Sequence, residues 1–471
     1  MKKCDLKTYV LIFLILSSIV LTGKIWFDEK LWPEGYNFFA VIEEKLSFKK
    51  DDFVSSLTKE TISFPKTLVV NNFELRSLYG ADSEEFSKIV PDVKELLRLA
   101  LEKEDSQPST QEAWARALKS RSLHVVYPVA YDSLLFQNIL GSYSPKENSI
   151  PVREFIISSE GTTLGVLSVY IKNHSTGEIF KTEIQWDKER FENMVISYAL
   201  DSIGNLSYSS ELNFDKTGED DVNQKVVIES NVLIQLNKKL NHVVYEENSL
   251  YNYGFNNDVV QSLLKTFKYN VSGAKKYVEN DNSVVYVENY STMKFHPNGL
   301  MEYKAVDASK GIDLRSGNDF YKGLLGCVDF VNTMWAEVFP SKDLNINISS
   351  DVIDNNANSF RLTMDYFADG TQVNIDIPQS QTHSPIRNAV EIEVESGKIV
   401  SYRQMMLQFE KDATTTDSLS AIDALDKLLA EKNMVGKVVD DLYPVYVSDG
   451  TPFRKSAWAV TTSDNQIAVI K

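Results

Sequence analysis

The sequence is short of basic residues, and this shortage excludes one class of partner. Its 471 residues include 49 Lys and Arg against 66 Asp and Glu, which gives a formal net charge of −17 at pH 7. A protein that binds nucleic acid needs a basic surface to displace counterions from phosphate. We therefore expect no nucleic-acid partner. The length, at roughly 150 residues per domain, allows about three domains.

Cysteine and histidine are also scarce. The two cysteines, Cys4 and Cys327, can form neither a disulfide framework nor a thiolate zinc site. Cys327 lies in the apolar run LLGCVDFV, which predicts a buried thiol. No two histidines are close enough in sequence to share a helix face, and we expect all five in strands or on the surface: His124, His174, His242, His296 and His383. The sequence predicts no metal site and no cofactor.

The sequence lacks the short motifs that mark common active sites. It contains no GxSxG, HExxH, CxxC or GxxxxGK string. Asp354, Asn356, Asn358 and Asp365 are spaced as in an EF-hand loop, but Ser359 replaces the turn glycine and a strand pattern follows, so we interpret this run as a polar loop. A serine triad or a carboxylate pair built from distant positions stays open. We predict no catalytic residue and no enzyme.

One long apolar run is present, at the N-terminus. Residues 8–27 carry a single charge, and twenty helical residues span about 30 Å of hydrocarbon. Three lysines precede the run, so we expect a single-pass protein of the cell membrane with a cytoplasmic N-terminal tip and an extracytoplasmic C-terminal bulk. Side chains suited to the outer lipid interface come at its end: Lys24, Trp26, Phe27 and Trp32.

A cleaved signal peptide is the alternative interpretation of the same run. The charged start and the apolar stretch both fit a signal peptide. However, Leu21 is bulky at a position where the cleavage pattern needs a small residue. We therefore favour an uncleaved anchor in the lipid bilayer.

The membrane run has one face on which a second helix can pack. Leu11, Ile15, Ser18 and Thr22 lie near one side of the helix, and the last two form a small-xxx-small pair. Small residues let two helices approach closely, and their hydroxyls can bond across the contact. We expect this face to bind a partner. The alternative is a plain anchor whose hydroxyls bond their own backbone.

The remaining sequence mixes helical and strand patterns and predicts an α+β fold. Helical periods, as at Val90, Val93 and Leu97, dominate the region before residue 150. Alternating strands, turn residues and amphipathic helices follow. We predict the anchor and a multi-domain extracytoplasmic region: 1–28 (tip and transmembrane helix), 29–150 (helix-rich N-terminal domain), 151–308 (central α+β domain) and 309–471 (C-terminal α+β domain).

Three local signals predict structure residue by residue. The string STQE at residues 109–112 predicts a capping box with Ser109 as the N-cap of a helix. Apolar spacing over residues 258–266 predicts a helix. Alternation over residues 390–394 and 399–405, on either side of Ser396 and Gly397, predicts a hairpin.

The order of these patterns resembles one known family. The membrane run ends SIVLTGKIW, and later segments read FPKTLVVNN, EAWARAL, YPVAYDSLL, VSGAKKYVENDNSVVYVENYSTMKFHPNGLMEY, LTMDYFADGTQV, VEIEVESGKIVSYRQ and YPVYVSDGTPFRKSAWAV. Through them, nearly the whole chain is similar to the YycH family of Gram-positive bacteria. Members of that family are membrane-anchored regulators of the WalK (YycG) sensor histidine kinase.

The resemblance implies a non-enzymatic protein. It implies a helical N-terminal domain and two α+β domains related to the partner protein YycI. It also implies assembly with a YycI-like membrane protein and a WalK-type kinase, largely through membrane helices, to adjust kinase output and so cell-wall homeostasis. Residues 8–27 are the segment that the resemblance assigns to the contact with the kinase helices.

Two other functional classes stay open. A membrane-anchored extracytoplasmic enzyme would need an acidic cleft with carboxylates of raised pKa. A ligand-binding protein of the cell envelope would need a large pocket with a few convergent polar groups. We expect neither feature. We also expect the adjacent acidic residues of three pairs to point in different directions, into solvent: Asp51–Asp52, Asp220–Asp221 and Asp440–Asp441.

Overall fold

The structure is a computed structural model. It describes residues 61–470 except for 63, 81–82, 104–105, 132, 141–150, 162–164, 200–205, 213–225, 237–240, 246–249, 251–254, 256–257, 270–272, 289, 317–318, 350–357, 369, 379–383, 416–418, 432–433, 449–454 and 464–466. The predicted membrane helix, with its face and its interface residues, lies outside the described part. Among the described helices, none is both long and apolar enough to cross a bilayer.

The secondary structure of the described residues is dominated by strands. Its helices are α1 (Glu84–Glu102), α2 (Gln111–Leu118), α3 (Ser133–Leu140), α4 (Lys188–Tyr198), α5 (Asp258–Thr266), α6 (Phe320–Val338) and α7 (Ala421–Ala430). Its strands up to residue 245 are β1 (Thr67–Asn72), β2 (Leu75–Tyr79), β3 (Gln107–Ser109), β4 (Arg121–Tyr131), β5 (Val152–Ser158), β6 (Val166–Asn173), β7 (Ile179–Gln185), β8 (Leu206–Tyr208), β9 (Val227–Ile228), β10 (Leu233–Gln235) and β11 (Asn241–Tyr245).

The later strands make most of the second half of the chain. They are β12 (Lys275–Val278), β13 (Val284–Val287), β14 (Ser291–Phe295), β15 (Leu300–Ala305), β16 (Ile312–Asp313), β17 (Ile346–Ile348), β18 (Phe360–Ala368), β19 (Thr371–Ile375), β20 (Val390–Glu395), β21 (Lys398–Met405), β22 (Phe409–Thr415), β23 (Val438–Ser448), β24 (Lys455–Thr462) and β25 (Ile467–Ile470). Helices and antiparallel strands thus occur together, which confirms the predicted α+β class.

The first sheet has the strand order β2-β1-β4-β5-β6-β7-β3, and its neighbouring strands are antiparallel. Helix α2 packs against its central strands. Trp114, Ala117 and Leu118 of that helix are buried against Ile156 and Tyr170 of the sheet. These three residues are spaced at i, i+3 and i+4. They therefore lie on the same face of α2 and can be buried together.

The second sheet has the strand order β12-β13-β14-β15-β21-β20-β18-β19-β23-β24-β25. Strand β16 pairs with β21, β17 with β18, and β9 with β23. The contacts of β23 with β19 and with β9 are parallel, and the other pairings are antiparallel. Strand β23 therefore has neighbours from distant parts of the chain.

The sheets continue across the predicted domain boundaries. Strand β4 precedes residue 150 and pairs with β5, which follows it. Strand β15 precedes residue 308 and pairs with β21. The region predicted to be helix-rich also contributes β1, β2, β3 and β4. Backbone hydrogen bonds decide which strands are neighbours, and a loop or a shift in composition between two strands does not prevent them from pairing.

Helix α2 begins one residue later than predicted. Its N-cap is Thr110, whose side chain accepts a hydrogen bond from the amide of Ala113. Hydrogen bonds from its own backbone and from Thr110 lower the pKa of Glu112. Ser109 instead ends β3. Both serine and threonine are favoured N-cap residues, and the pairing of β3 with β7 is what assigns Ser109 to the strand.

Other local predictions are confirmed. Helix α5 has the predicted bounds, and β20 and β21 form the predicted hairpin with Ser396 and Gly397 in its turn. Both turn residues have positive φ values of 52° and 75°, which a tight hairpin turn requires. Cys327 is fully buried within α6, and burial raises the pKa of its thiol.

Helix α7 packs into a core beneath the C-terminal strands. Leu425 and Leu428 are buried with Val460 of β24 and with Trp458, whose indole N–H donates to the carbonyl of Leu419 at 2.9 Å. Leu429 is the next residue along the helix and is 45% exposed. Two adjacent leucines of one helix thus differ only in which way they face.

We predict that Leu428→Ala lowers the free energy of unfolding by about 2–5 kcal/mol, since it leaves a cavity in this core. Leu429→Ala has the same effect on helix propensity but removes a half-exposed side chain, so we expect a loss of at most about 1 kcal/mol. Urea unfolding of the full-length protein measures both. Equal losses for the two variants would contradict the packing of α7 described above.

Candidate functional site

A sizeable cleft lies between the two sheets. Its cavity volume is about 560 Å³, within the range typical of small-molecule sites. Strands β1, β4, β5 and β6 form one wall, and β19, β23 and residues 229–235 form the other. Charged side chains line both walls: Lys66, Arg153, Glu154, Lys172, Glu229, Asp440 and Asp441.

A β-bulge places Arg153 in the cleft. Val152 pairs with Asn173 and Glu154 with Lys172, so Arg153 is an extra residue that has no partner on β6. Successive side chains of a regular strand point to opposite faces. The bulge interrupts this alternation, and as a result both Arg153 and Glu154 line the cavity.

A second bulge places Asp440 on the opposite wall. Val439 pairs with Thr462 and Asp441 with Thr461, so Asp440 is the extra residue of β23. Both Asp440 and Asp441 line the cavity. The prediction that the two carboxylates point in different directions is therefore wrong, because the bulge breaks the two-residue period on which it depended.

Most charges of the cleft are paired across it or along it. The Nζ atom of Lys66 is 3.3 Å from Oδ2 of Asp441, and that of Lys172 is 4.0 Å from Oε2 of Glu229. Lys66 also lies over the ring of Tyr443, 4.2 Å from its centroid. The pair of Lys66 and Asp441 connects the two walls.

The charges around Asp440 and His174 shift the pKa values of these two groups. Burial raises the pKa of Asp440, and the carboxylate of Glu229 adds to this increase, while Lys172 and Arg153 oppose it. Burial lowers the pKa of His174, and the positive charges of Arg153 and Lys172 lower it further. Arg153 and Lys172 therefore make one side of the cleft electropositive, and Glu229 and Asp440 make the other side electronegative.

A buried histidine lies where the first sheet meets the cleft. His124 of β4 is 2.7 Å from Oε1 of Glu154 through Nε2, and 3.2 Å from the hydroxyl of Tyr208 through Nδ1. Asn231 donates to the same oxygen of Glu154 at 2.6 Å. Burial alone would raise the pKa of Glu154, but the hydrogen bond and charge of His124, with help from Lys172 and Asn231, lower it to about 2.

The second sheet contains a similar group around His296. Its Nε2 is 2.7 Å from Oε2 of Glu302, and its Nδ1 is 3.0 Å from the hydroxyl of Ser283. The order serine, histidine, glutamate is that of a hydrolase triad. Ser283 is fully buried, however, and donates its hydroxyl proton to Asp281 at 2.8 Å. A nucleophile has to give that proton to the histidine, so this group holds strands together instead.

The structure describes only some of the candidate residues that we named from the sequence. The residues of the predicted membrane face and interface lie outside the described part. Of the EF-hand-like run, Asp365 is a buried residue of β18 that accepts hydrogen bonds from Gln372 and Asn388. Within the described residues no group of side chains is suited to hold a metal ion.

We did not predict this cleft from the sequence, and its presence contradicts one of our expectations. We expected neither a sizeable pocket nor a carboxylate of raised pKa, and the cleft and Asp440 supply both. The sequence nevertheless contains a pattern that indicates the two bulges. Arg153–Glu154 in PVREFII and Asp440–Asp441 in VVDDLYP are adjacent charged residues inside apolar strands. Two neighbouring polar residues interrupt the alternation of a strand, as a bulge does.

Comparison with known proteins shows the fold. No family model matches the sequence, and no curated protein matches it. The crystal structure of YycH from Bacillus subtilis resembles this chain with a TM-score of 0.56 at 10% sequence identity, and the match covers 88% of this chain and 97% of that one. An uncharacterized protein from Eubacterium rectale resembles it with a TM-score of 0.29 at 13% identity, over 51% and 83%. The chain has a YycH-like fold.

We predict a pH dependence of stability from Glu154. Because its pKa in the folded protein is lowered from 4.5 to about 2, its contribution is fully present above pH 4.5 and is lost as the pH falls towards 2. Glu154→Gln should lower the free energy of unfolding at neutral pH, by on the order of 2 kcal/mol, and the deficit should shrink in that acidic window.

Urea unfolding of both proteins between pH 7 and the acid limit of folding measures this difference. Glu74→Gln is the matched control, because Glu74 is exposed in the turn between β1 and β2. The control should follow the wild type throughout. A deficit for Glu154→Gln that does not change with pH would show that the ionised carboxylate contributes nothing to stability.

Proposed function

We propose that this protein is a membrane-anchored, non-enzymatic regulator that binds a WalK-type sensor histidine kinase. In this proposal it acts together with a YycI-like membrane protein and modulates two-component signalling that controls cell-wall homeostasis. The single observation that supports it is the YycH-like fold, which extends over 88% of this chain and 97% of the matched structure. The family resemblance of the sequence supplies the kinase and the YycI-like protein as partners.

A binding role, rather than a catalytic one, agrees with the buried polar groups. The histidines His124 and His296 each have both ring nitrogens within hydrogen-bond distance of protein groups. Such fully satisfied networks make a fold rigid and leave no ring nitrogen available to a substrate. The remaining charges of the cleft suit binding.

The mechanism that we propose acts through the membrane helix at residues 8–27. A helix that packs beside the kinase helices can shift a two-state signalling bundle only by its difference in affinity for the two states. A few van der Waals contacts and one hydrogen bond between small residues supply about 1–2 kcal/mol. This is sufficient to change kinase output several-fold.

We predict a topology with the N-terminal tip in the cytoplasm and residues 29–471 outside. Alkaline phosphatase fused after Lys471 should therefore be active, since it folds only outside the cytoplasm, and a fluorescent protein fused there by the same export route should be dark. The same fusions on a chain without residues 1–28 serve as controls and should reverse both readings. An inactive phosphatase on the full chain would contradict the topology.

We predict that binding to the kinase in a bacterial two-hybrid assay is lost when residues 8–27 are replaced by an unrelated membrane helix. Ser18→Leu should weaken the signal several-fold, because the larger side chain keeps the helices apart. Ser17→Leu makes the same change about 100° around the helix and should leave the signal unchanged.

The two-hybrid assay separates three results. Loss with both the replacement and Ser18→Leu supports a regulator that works through this face. Binding that survives the replacement moves the contact to the extracytoplasmic region and contradicts the mechanism. Absence of binding to both the WalK-type kinase and the YycI-like protein, with the chain present in the membrane, contradicts the proposed function.

A further inference from the structure

Two charged side chains of the cleft make no hydrogen bond and no ion pair with a described residue, although the charge of Arg153 is near enough to act on Asp440. No described residue makes a hydrogen bond or an ion pair with the side chain of Arg153, and its Nε atom is buried without an acceptor. Asp440 likewise has no hydrogen-bond or ion-pair partner among the described residues, although Lys66 and Lys172 make pairs with the neighbouring carboxylates. The two residues have opposite charges, and both line the same cavity.

Both unpaired charges are the extra residues of β-bulges. Arg153 is inserted in β5 and Asp440 in β23, and each bulge turns one more charged side chain into the cleft than a regular strand would. Bulges of this kind are common beside binding and catalytic sites, where they redirect a side chain. A partly buried charge without a partner is unfavourable for the fold alone. A ligand that pairs with both groups explains why the two strands present them.

We propose that the cleft binds a small zwitterion of the amino-acid and short-peptide class, with its carboxylate on Arg153 and its ammonium group on Asp440. A guanidinium binds a carboxylate through two parallel hydrogen bonds, which its terminal N–H groups can donate. The carboxylates of Asp440 and Glu229 together favour a cation on the opposite wall. A purely anionic or purely cationic ligand would leave one of the two charges unpaired.

The rest of the cavity suits this class of ligand. A volume of about 560 Å³ accepts a peptide of two or three residues. Its lining includes the amide side chains of Asn345 and Asn347, which can bond a peptide group, and the apolar side chains of Val232, Leu78 and Phe367. The proposal concerns a ligand rather than a protein partner, and it holds whether or not the chain binds a kinase.

The test is a titration of the purified full-length protein with dipeptides, by calorimetry and by thermal shift, in the absence of any kinase. The probes are dipeptides whose second residue is alanine, leucine, lysine or glutamate, each at up to about 10 mM. Every dipeptide is also tested with an acetylated amino terminus and with an amidated carboxyl terminus. We expect at least one free dipeptide to bind and each cap to weaken it by about tenfold or more.

The variants assign each charge to its partner. Arg153→Gln should weaken the free dipeptide about tenfold and abolish the further effect of amidation, while acetylation still weakens binding. Asp440→Asn should show the reverse pattern. The exposed pair of Arg190 and Asp92, 3.0 Å apart and outside the cleft, supplies matched controls, and Arg190→Gln and Asp92→Asn should leave every affinity unchanged.

Three results would overturn the proposal. The first is that no free dipeptide binds to the wild type. The second is that free and capped dipeptides bind equally well. This comparison uses only the wild-type protein, so it does not depend on whether the variants fold. The third is that the variants weaken the free and both capped forms by the same factor, which would show that they act on the fold and not on a charge of the ligand.

Discussion

The position of β23 is the constraint on which the rest of the structure depends. This strand pairs in parallel with β19 and with β9 and antiparallel with β24, so it joins three separate parts of the chain in one sheet. It also provides one wall of the cleft, and its Asp441 pairs with Lys66 beside the first sheet. A change in the register of β23 would therefore alter the large sheet and the cleft together.

Two glutamates show how this fold accommodates partly buried charges. Glu154 and Glu302 are each held by a histidine, and Glu302 also accepts from Arg403 at 2.9 Å. Hydrogen bonds from these groups lower the pKa of both glutamates against the opposing effect of burial. Such pairing is what makes a buried carboxylate tolerable. Arg153 and Asp440 lack such pairing among the described residues, and both lie in the cleft, which is why we assign their partners to a ligand.

Local features of the fold were predictable where one segment of sequence decides them. Helix α5 was predicted with its bounds, and each strand of the hairpin of β20 and β21 was predicted to within one residue at the turn, because periodicity and turn residues act within a few positions. The start of α2 was displaced by one residue, since both Ser109 and Thr110 can act as an N-cap and only the pairing of β3 decides between them. The helix-rich prediction for residues 29–150 omitted strands whose apolar residues are buried on both faces, as in TLVVNN of β1.

The sequence by itself determined the α+β class, the acidic charge, the buried thiol at Cys327 and the prediction of an anchor at residues 8–27, because each depends on composition or on a short period. Only the tertiary structure determined that a cleft forms and which residues line it. Arg153 and Asp440 are almost three hundred positions apart, and they face one cavity because two bulges and the pairing of β23 bring them there. Sheet register joins residues by backbone hydrogen bonds and not by distance along the chain, so no local pattern encodes it.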